Sequence, residues 1–500
     1  MEEPRRALVA LEMDLQENWI VPTIYGEPYY NKPPVWNWMI FAASKIFGSY
    51  SELAIRFFAV FSLFLTGTLA FWMGKTYVSE LFGHASGLFL LMGVELYFVA
   101  SQLGEIDLFY TLITFAQFCS MFHFFQRRNF FLLFACSYVL TAVGLLTKGL
   151  PSLLFQGISL LVFFIYTREW KRLFSFPHLV GIAFLFLLVS GYLTYYSSFN
   201  STDGFLDRIW TESRDRTLLV KGYEAFIIHF FRFPVETLGS ILPASLLIPF
   251  IIRPDFGKKV KENPFIFFCG VLFLANALVY WISPGTRQRY VYPLYPFLVG
   301  VLVYFAMEHG DELPQTGKVI NIILGIIVAI VPLASLGLPF IPELSVLEYR
   351  WVLAGVGFAV GGILFYFFIR QPAFRWLSLV WVLVLVRFIY GFSVFPVRAL
   401  PEADTQREKD YAIYLNRLAS GAPISLLEGV DLPYRMGFYL SREMDDVLRY
   451  VPDSTQRGYV IAYPSQVKDI PHEEITEFFD KENTSYVLVE LRPTPSSTTQ

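Results

Sequence analysis

Residues 129–147 read NFFLLFACSYVLTAVGLLT, nineteen positions without one charged side chain, held between Arg127-Arg128 and Lys148. A helix of that length rises about 28 Å, which matches the hydrocarbon core of a bilayer. The stretch therefore predicts a transmembrane helix, and the same reading extends outward in both directions. Apolar runs at 53–76, 82–102, 107–126, 150–166, 177–197, 234–252, 264–282, 291–308, 318–338, 350–370 and 376–396 bring the predicted spans to twelve. Composition agrees: 55% of the residues are hydrophobic and 16% charged, and 52 are Phe, a balance that excludes an ordinary soluble domain. The net charge of −3 carries no global argument for nucleic acid, so any charge chemistry is local. Cys119, Cys136 and Cys269 sit inside apolar runs without metal-ligand or disulfide spacing and read as packing.

Orientation follows from the short loops. Arg127 and Arg128; Arg168, Lys171 and Arg172; Arg253, Lys258, Lys259 and Lys261; and Arg370 and Arg375 fall on one side, which the positive-inside rule makes cytoplasmic. With twelve spans, residues 1–52, the loop 198–233, the turn 283–290 and the tail 397–500 share the opposite face. The fold class is an all-α polytopic membrane protein, residues 53–396, with a small C-terminal α/β domain outside the membrane, residues 397–500. In that domain a helical pattern at 404–419 precedes β-rich runs at Ile424–Leu427, Tyr459–Tyr463 and Tyr486–Glu490, and the end from Pro493 has a disordered composition. Within 1–52, Leu8, Leu11 and Leu15 recur at helical spacing among charges, as in a helix lying in the membrane interface.

The external segments carry charges that a spanning bundle does not need: Glu2, Glu3, Arg5 and Arg6; Lys32; Glu105 and Asp107; Lys148; Glu212, Arg214, Asp215 and Arg216; Arg287 and Arg289. Ionisable groups near membrane depth are costly and mark function by default. The cations suit a phosphate, Arg through bidentate contacts and Lys as a point charge. The carboxylates offer a base for an acceptor hydroxyl or amine, so the set suits group transfer with a phosphate leaving group, and a lipid-linked phosphate donor suits the membrane surface. Each feature also has a structural reading: Asp107 as a helix N-cap, Pro33-Pro34 as a rigid turn, and Trp19, Tyr25, Tyr29, Tyr30, Trp36 and Trp38 as an interfacial aromatic belt.

Taken in order, EEPRRALVALEM (2–13), NWIVPTIYGEPYYNKPPVWNW (18–38), ELAIRF (52–57), GEIDLFYT (104–111), TKGLP (147–151), WTESRDR (210–216) and RQRYVYPLYP (287–296) resemble the bacterial polyprenyl-phosphate-sugar-dependent glycosyltransferases. That family has the GT-C fold, includes the lipid A aminoarabinose transferase and is related to the protein O-mannosyltransferases. The resemblance covers about the first 300 residues. It implies an inverting enzyme of the bacterial inner membrane that moves a sugar from a polyprenyl phosphate to a lipid, glycan or protein acceptor at the periplasmic face. Its acidic motif falls on Glu2-Glu3, its donor-phosphate lysine on Lys32, the acid of the second external loop on Asp107, the arginine of the long loop on Arg216 and the late tyrosine on Tyr290. With the local charge reading, this makes Glu2, Glu3 and Asp107 the catalytic candidates and Lys32, Lys148, Arg216, Arg287, Arg289 and Tyr290 the phosphate-binding ones.

The departures bear on the cofactor and on the start of the chain. Asn31 and Ser213 stand where family members associated with a bound metal carry Glu and His, so no cofactor is implied with certainty and a divalent cation stays open. Arg6 replaces the usual Tyr, Glu2 the usual Asp, and the family's first membrane helix would precede Glu2. Two readings from other classes remain beside the transferase, a flippase for a lipid-linked glycan and an inactive membrane scaffold.

Overall fold

A computed structural model of the chain describes residues 2–202, 204, 207, 211, 222–400, 403–452, 458–468 and 470–491. They form two compact units. One comprises residues 1–30, 36–55 and 394–500, the other 31–35 and 56–393.

The second unit is the membrane bundle. Among the described residues eight helices are long and apolar enough to cross a membrane, or up to ten if each of two bent pairs counts as a span. Each of the twelve predicted runs falls on helix, but four of them are not one long helix. The run 82–102 breaks into Glu80–Leu91 and Glu95–Gln102, bent by 53°, and the run 234–252 into Tyr223–Ser240 and Ala244–Phe250, bent by 111°. The runs at 150–166 and 291–308 become the shorter helices Pro151–Tyr166 and Tyr292–Glu308. Hydropathy averages over a window, so it cannot see a turn whose side chains remain apolar.

Helices with little hydrophobic drive to associate in lipid rely on close packing and polar links. The Gln117 amide bonds Gln156 of Pro151–Tyr166, which also accepts from Ser137 at 2.9 Å, and Asn276 donates to Ser159 at 3.0 Å. At one end of the bundle Arg128 pairs with Glu169 at 2.8 Å, and Lys259 with Glu312 at 2.5 Å.

The first unit joins what the sequence reading had kept apart, the segment 1–52 and the domain 397–500. A five-stranded sheet has the order Tyr450–Val451, Ile424–Leu427, Gly458–Ala462, Ser485–Leu491, His472–Phe479, parallel across its first three strands and antiparallel thereafter. Helices Asp404–Leu418 and Tyr434–Met444 accompany it. The predicted helix and three strands are present. His472–Phe479 reads HEEITEFF, and its charges hid it, as charge on an edge strand commonly does.

The N-terminal helix, Glu2–Leu15, is buried from Arg6 through Met13 and packs on Tyr434–Met444. Leu8 and Leu11 are 0% and 3% exposed, so protein covers the stripe that the sequence assigned to the membrane interface. Glu12, on the same helix, is fully buried and clamps the turn that follows it, accepting from Thr23 Oγ1 at 2.7 Å, the Tyr25 N–H at 2.6 Å and the Gly26 N–H at 3.2 Å.

Burial pushes the Glu12 carboxyl up to about 7 against the pull of those donors. A carboxyl raised in the folded state adds stability in full below its unfolded value of 4.5 and loses it as pH rises through 7. The wild type therefore loses stability relative to Glu12→Gln between pH 5 and pH 8, by as much as about 3 kcal/mol. Thermal midpoints of the two proteins across that range check this; parallel pH profiles would refute it.

Candidate active site

The bundle brings four charged side chains together at one end. Lys148 closes the helix Phe130–Lys148, and Asp107 opens the helix Asp107–Gln126. The Lys148 Nζ lies 2.6 Å from Asp107 Oδ1, with side-chain exposures of 6% and 8%. The N-cap position of that helix is Ile106, one residue earlier, and the Asp107 carboxylate is engaged instead in a buried ion pair. Arg289, in the short turn Gln288–Tyr290, binds Glu105 Oε2 at 2.6 Å and lies 4.0 Å from Asp107 Oδ2. The Lys148 ammonium also sits 4.7 Å from the Tyr110 ring centre and 5.0 Å from that of Tyr290, where the ring quadrupole favours a cation.

A cavity of about 230 Å³ opens beside this cluster. Glu95, Glu105, Asp107, Arg287, Arg289 and Tyr292 line it, with apolar walls from residues such as Leu103 and Leu108. Gln288 organises its rim: Gln288 Nε2 donates to Glu236 at 3.2 Å, and its carbonyl accepts from Thr237 at 3.2 Å and Tyr295 at 3.3 Å. Chemically, the site presents guanidinium and ammonium groups to an anion beside carboxylates, partly shielded from water, where electrostatic interactions are strong.

Of the residues singled out from sequence, Asp107, Lys148, Arg287, Arg289 and Tyr290 come together here. Lys32 is half-buried in the same unit, in an irregular stretch before buried Pro33-Pro34. Glu2 and Glu3 belong to the other unit, where Glu2 holds two guanidiniums of its own helix, Arg5 and Arg6, the latter at 3.2 Å. Arg6 also donates to the Tyr29 hydroxyl at 3.1 Å. Arg216 and Ser213 lie outside the described residues.

The described residues do not fit a divalent cation: no three His, Cys, Asp or Glu side chains among them come together, and Asn31 offers a neutral amide. Sequence reasoning missed Glu95, Glu236, Gln288 and Tyr292. Glu95 had a signal, a lone carboxylate inside an apolar run, which membrane energetics marks as functional.

Residues 31–195 match the family described as dolichyl-phosphate-mannose-protein mannosyltransferase. The undecaprenyl phosphate-alpha-4-amino-4-deoxy-L-arabinose arabinosyl transferase of Photorhabdus laumondii is 24% identical over 94% of this chain and 85% of its own length. A Sodalis glossinidius transferase of the same name is 24% identical over 96% and 86%. The crystal structure of ArnT from Cupriavidus metallidurans bound to undecaprenyl phosphate superposes with a TM-score of 0.68 at 17% identity, covering 98% of this chain and 93% of that one. The fold is thus shared across nearly the whole chain, and the flippase and scaffold readings find no counterpart among these relatives.

Proposed function

We propose that this chain, a membrane glycosyltransferase of the GT-C fold that draws its sugar from a polyprenyl phosphate, carries out the transfer at the periplasmic face of a bacterial inner membrane. The acceptor is a lipid, glycan or protein hydroxyl or amine. Its oxygen or nitrogen attacks the anomeric carbon, the bond from that carbon to the phosphate oxygen breaks, and polyprenyl phosphate departs with the electron pair. Inversion at the anomeric carbon is the family expectation.

The observation that carries this reading is the meeting of Arg287 and Arg289 on one cavity wall in the membrane unit with Asp107, whose carboxylate holds the buried Lys148 ammonium. Those cations, with Lys32 and Arg216, stabilise charge on the leaving phosphate, which is worth most where water is excluded. Asp107 orients the acceptor and holds Lys148 in place. Glu2, with Glu3 beside it, serves as the base that takes the acceptor proton or as a group that positions charge.

The test is release of polyprenyl phosphate from a labelled polyprenyl-phosphate sugar by purified protein in detergent. Lys32→Ala and Glu2→Gln each lower the rate at least about 100-fold, the usual size for a lost charge-stabilising or acid–base group. Wild-type rates in both variants would overturn the assignment of these residues. No release by the wild type across several donors would overturn the function.

A further inference from the structure

The first unit holds a cavity of its own, of about 250 Å³. Four segments wall it: Pro4 in the first turn of the helix Glu2–Leu15, Glu408 in the helix Asp404–Leu418, the stretch 431–435, and the turn 480–482. Tyrosines fix that stretch in place. The Tyr25 hydroxyl donates to the Leu432 carbonyl and the Tyr486 hydroxyl to the Asp431 carbonyl, both at 2.9 Å, while the Asp431 N–H donates to the Tyr463 hydroxyl at 3.1 Å. In the turn, Asp480 Oδ1 accepts from the N–H groups of Glu482 at 2.8 Å and Thr484 at 2.9 Å. The cavity is therefore formed before anything enters it, as ligand sites commonly are.

Its wall mixes charges of both signs with apolar surface. Glu408 is 3% exposed and pairs with Arg435 at 3.1 Å. Burial pushes its carboxyl up, against the pull of Arg435 and Lys481. Asp431 and Asp480 add acceptors, and Pro433 and Tyr434 add apolar surface. A lone cation entering this space meets Arg435 and Lys481, a lone anion meets the carboxylates, and an apolar ligand strips water from all of them. Hydroxyl groups suit it better, because each one donates and accepts and so serves a carboxylate or a guanidinium alike. The C–H face of a sugar ring can rest on the proline and tyrosine. The place matters as much as the lining: Glu2 binds the Arg5 guanidinium, which lies 5.9 Å from the centre of the Tyr434 ring.

We infer that this cavity is a saccharide subsite that holds the sugar of a glycan-bearing acceptor beside Glu2. This rests on the transferase reading above and narrows its acceptor to one that displays sugar hydroxyls. One of those hydroxyls gives its proton to the Glu2 carboxylate while its oxygen bonds the anomeric carbon of the donor, and polyprenyl phosphate leaves with the electron pair.

The experiment is saturation-transfer NMR on the full chain in detergent, with millimolar glucose, galactose, mannose and N-acetylglucosamine, and with trialanine as the peptide comparison. The variant is Asp431→Ala with Lys481→Ala, at two exposed positions, and it keeps the wild-type thermal midpoint. Saturation reaches at least one of the sugars from the wild type and falls about tenfold in the variant, the size expected for lost hydrogen bonds to charged groups. No transfer to any sugar from the wild type overturns the inference, as does equal transfer from the variant. Transfer to trialanine in place of the sugars assigns the cavity to a protein acceptor and overturns it too. With a labelled polyprenyl-phosphate sugar present, the sugar that binds speeds polyprenyl phosphate release and appears in a labelled disaccharide. Binding without that product, from a protein that does release polyprenyl phosphate, overturns the acceptor role. Should no polyprenyl phosphate be released under any condition, the transferase reading is what fails, and the binding comparison alone decides whether the cavity takes a saccharide.

Discussion

Lys148→Met lowers both the thermal stability of the protein in detergent and its release of polyprenyl phosphate. The ammonium and the Asp107 carboxylate are almost fully covered and 2.6 Å apart. Removing one partner of a buried pair leaves the other charge without compensation, which costs about 3–5 kcal/mol. Arg289 does not replace the lost cation, because its Nη1 lies 4.0 Å from Asp107 and is engaged with Glu105 at 2.6 Å. Methionine keeps the stem's packing and its contact with the Tyr110 and Tyr290 rings, so the loss reports the charge. Asp107→Asn destabilises for the same reason in the opposite sense. The double variant Asp107→Asn with Lys148→Met regains most of the thermal midpoint, since neither charge is then buried alone. It does not regain turnover, which stays down by about two to three powers of ten if the lysine stabilises the leaving phosphate. Thermal unfolding with the release assay separates the two effects. A double variant as unstable as the singles would refute the ion-pair account, and one with wild-type turnover would remove Lys148 from the reaction.

Gly83→Ala produces a second large loss, of structural origin. Gly83 and Gly87 are spaced four apart on the helix Glu80–Leu91, and Gly67 and Gly74 lie on the helix Glu52–Tyr77. The backbones meet at these glycines. A methyl on Gly83 would stand 2.5 Å from the Phe71 carbonyl oxygen and 2.8 Å from the Lys75 nitrogen, and one on Gly74 2.8 Å from Gly83 Cα. Backbone atoms on both sides cannot swing aside as a flexible side chain does, so the helices must separate, and close approach through small residues is what holds membrane helices together. The expected loss is about 2–3 kcal/mol for Ala and more for Val. Gly191→Ala, in the helix Phe176–Ser197, is the control: its added methyl meets nothing within 4 Å, so it is neutral or gains up to about 1 kcal/mol from helix propensity. Equal midpoints for the Gly83 and Gly191 variants would refute the close-crossing account.

Much of the candidate site could be read from the chain because charge is rare in it. Asp107 and Lys148 stand out at the ends of apolar runs, and Arg287 and Arg289 beside one another in a short turn. Their pairing could not be read. Nothing in residues 103–108 says that Asp107 passes over its own helix end for a lysine about forty positions on, because that choice depends on which helix ends share one end of the bundle. Glu95 was legible by the same rule and was lost in a hydropathy average. Glu2 and Glu3 were noticed for their motif, yet the immediate partners of Glu2, Arg5 and Arg6, come from the geometry of the first helix turn.

The sequence alone determined that this is a multi-pass α-helical membrane protein with a small α/β domain, because lipid admits only backbones that satisfy their own hydrogen bonds, and twenty apolar residues in a row have no other use. It located as well a set of cations at or beyond the ends of the spans. Tertiary structure alone decided which of those cations are already neutralised by Glu105 and Asp107, and that Glu95 reaches the cavity through a bend. It alone decided that the first helix is buried against Tyr434–Met444. The reason is common to all three: hydropathy and spacing are properties of neighbours along the chain, whereas charge pairing and burial are properties of neighbours in space.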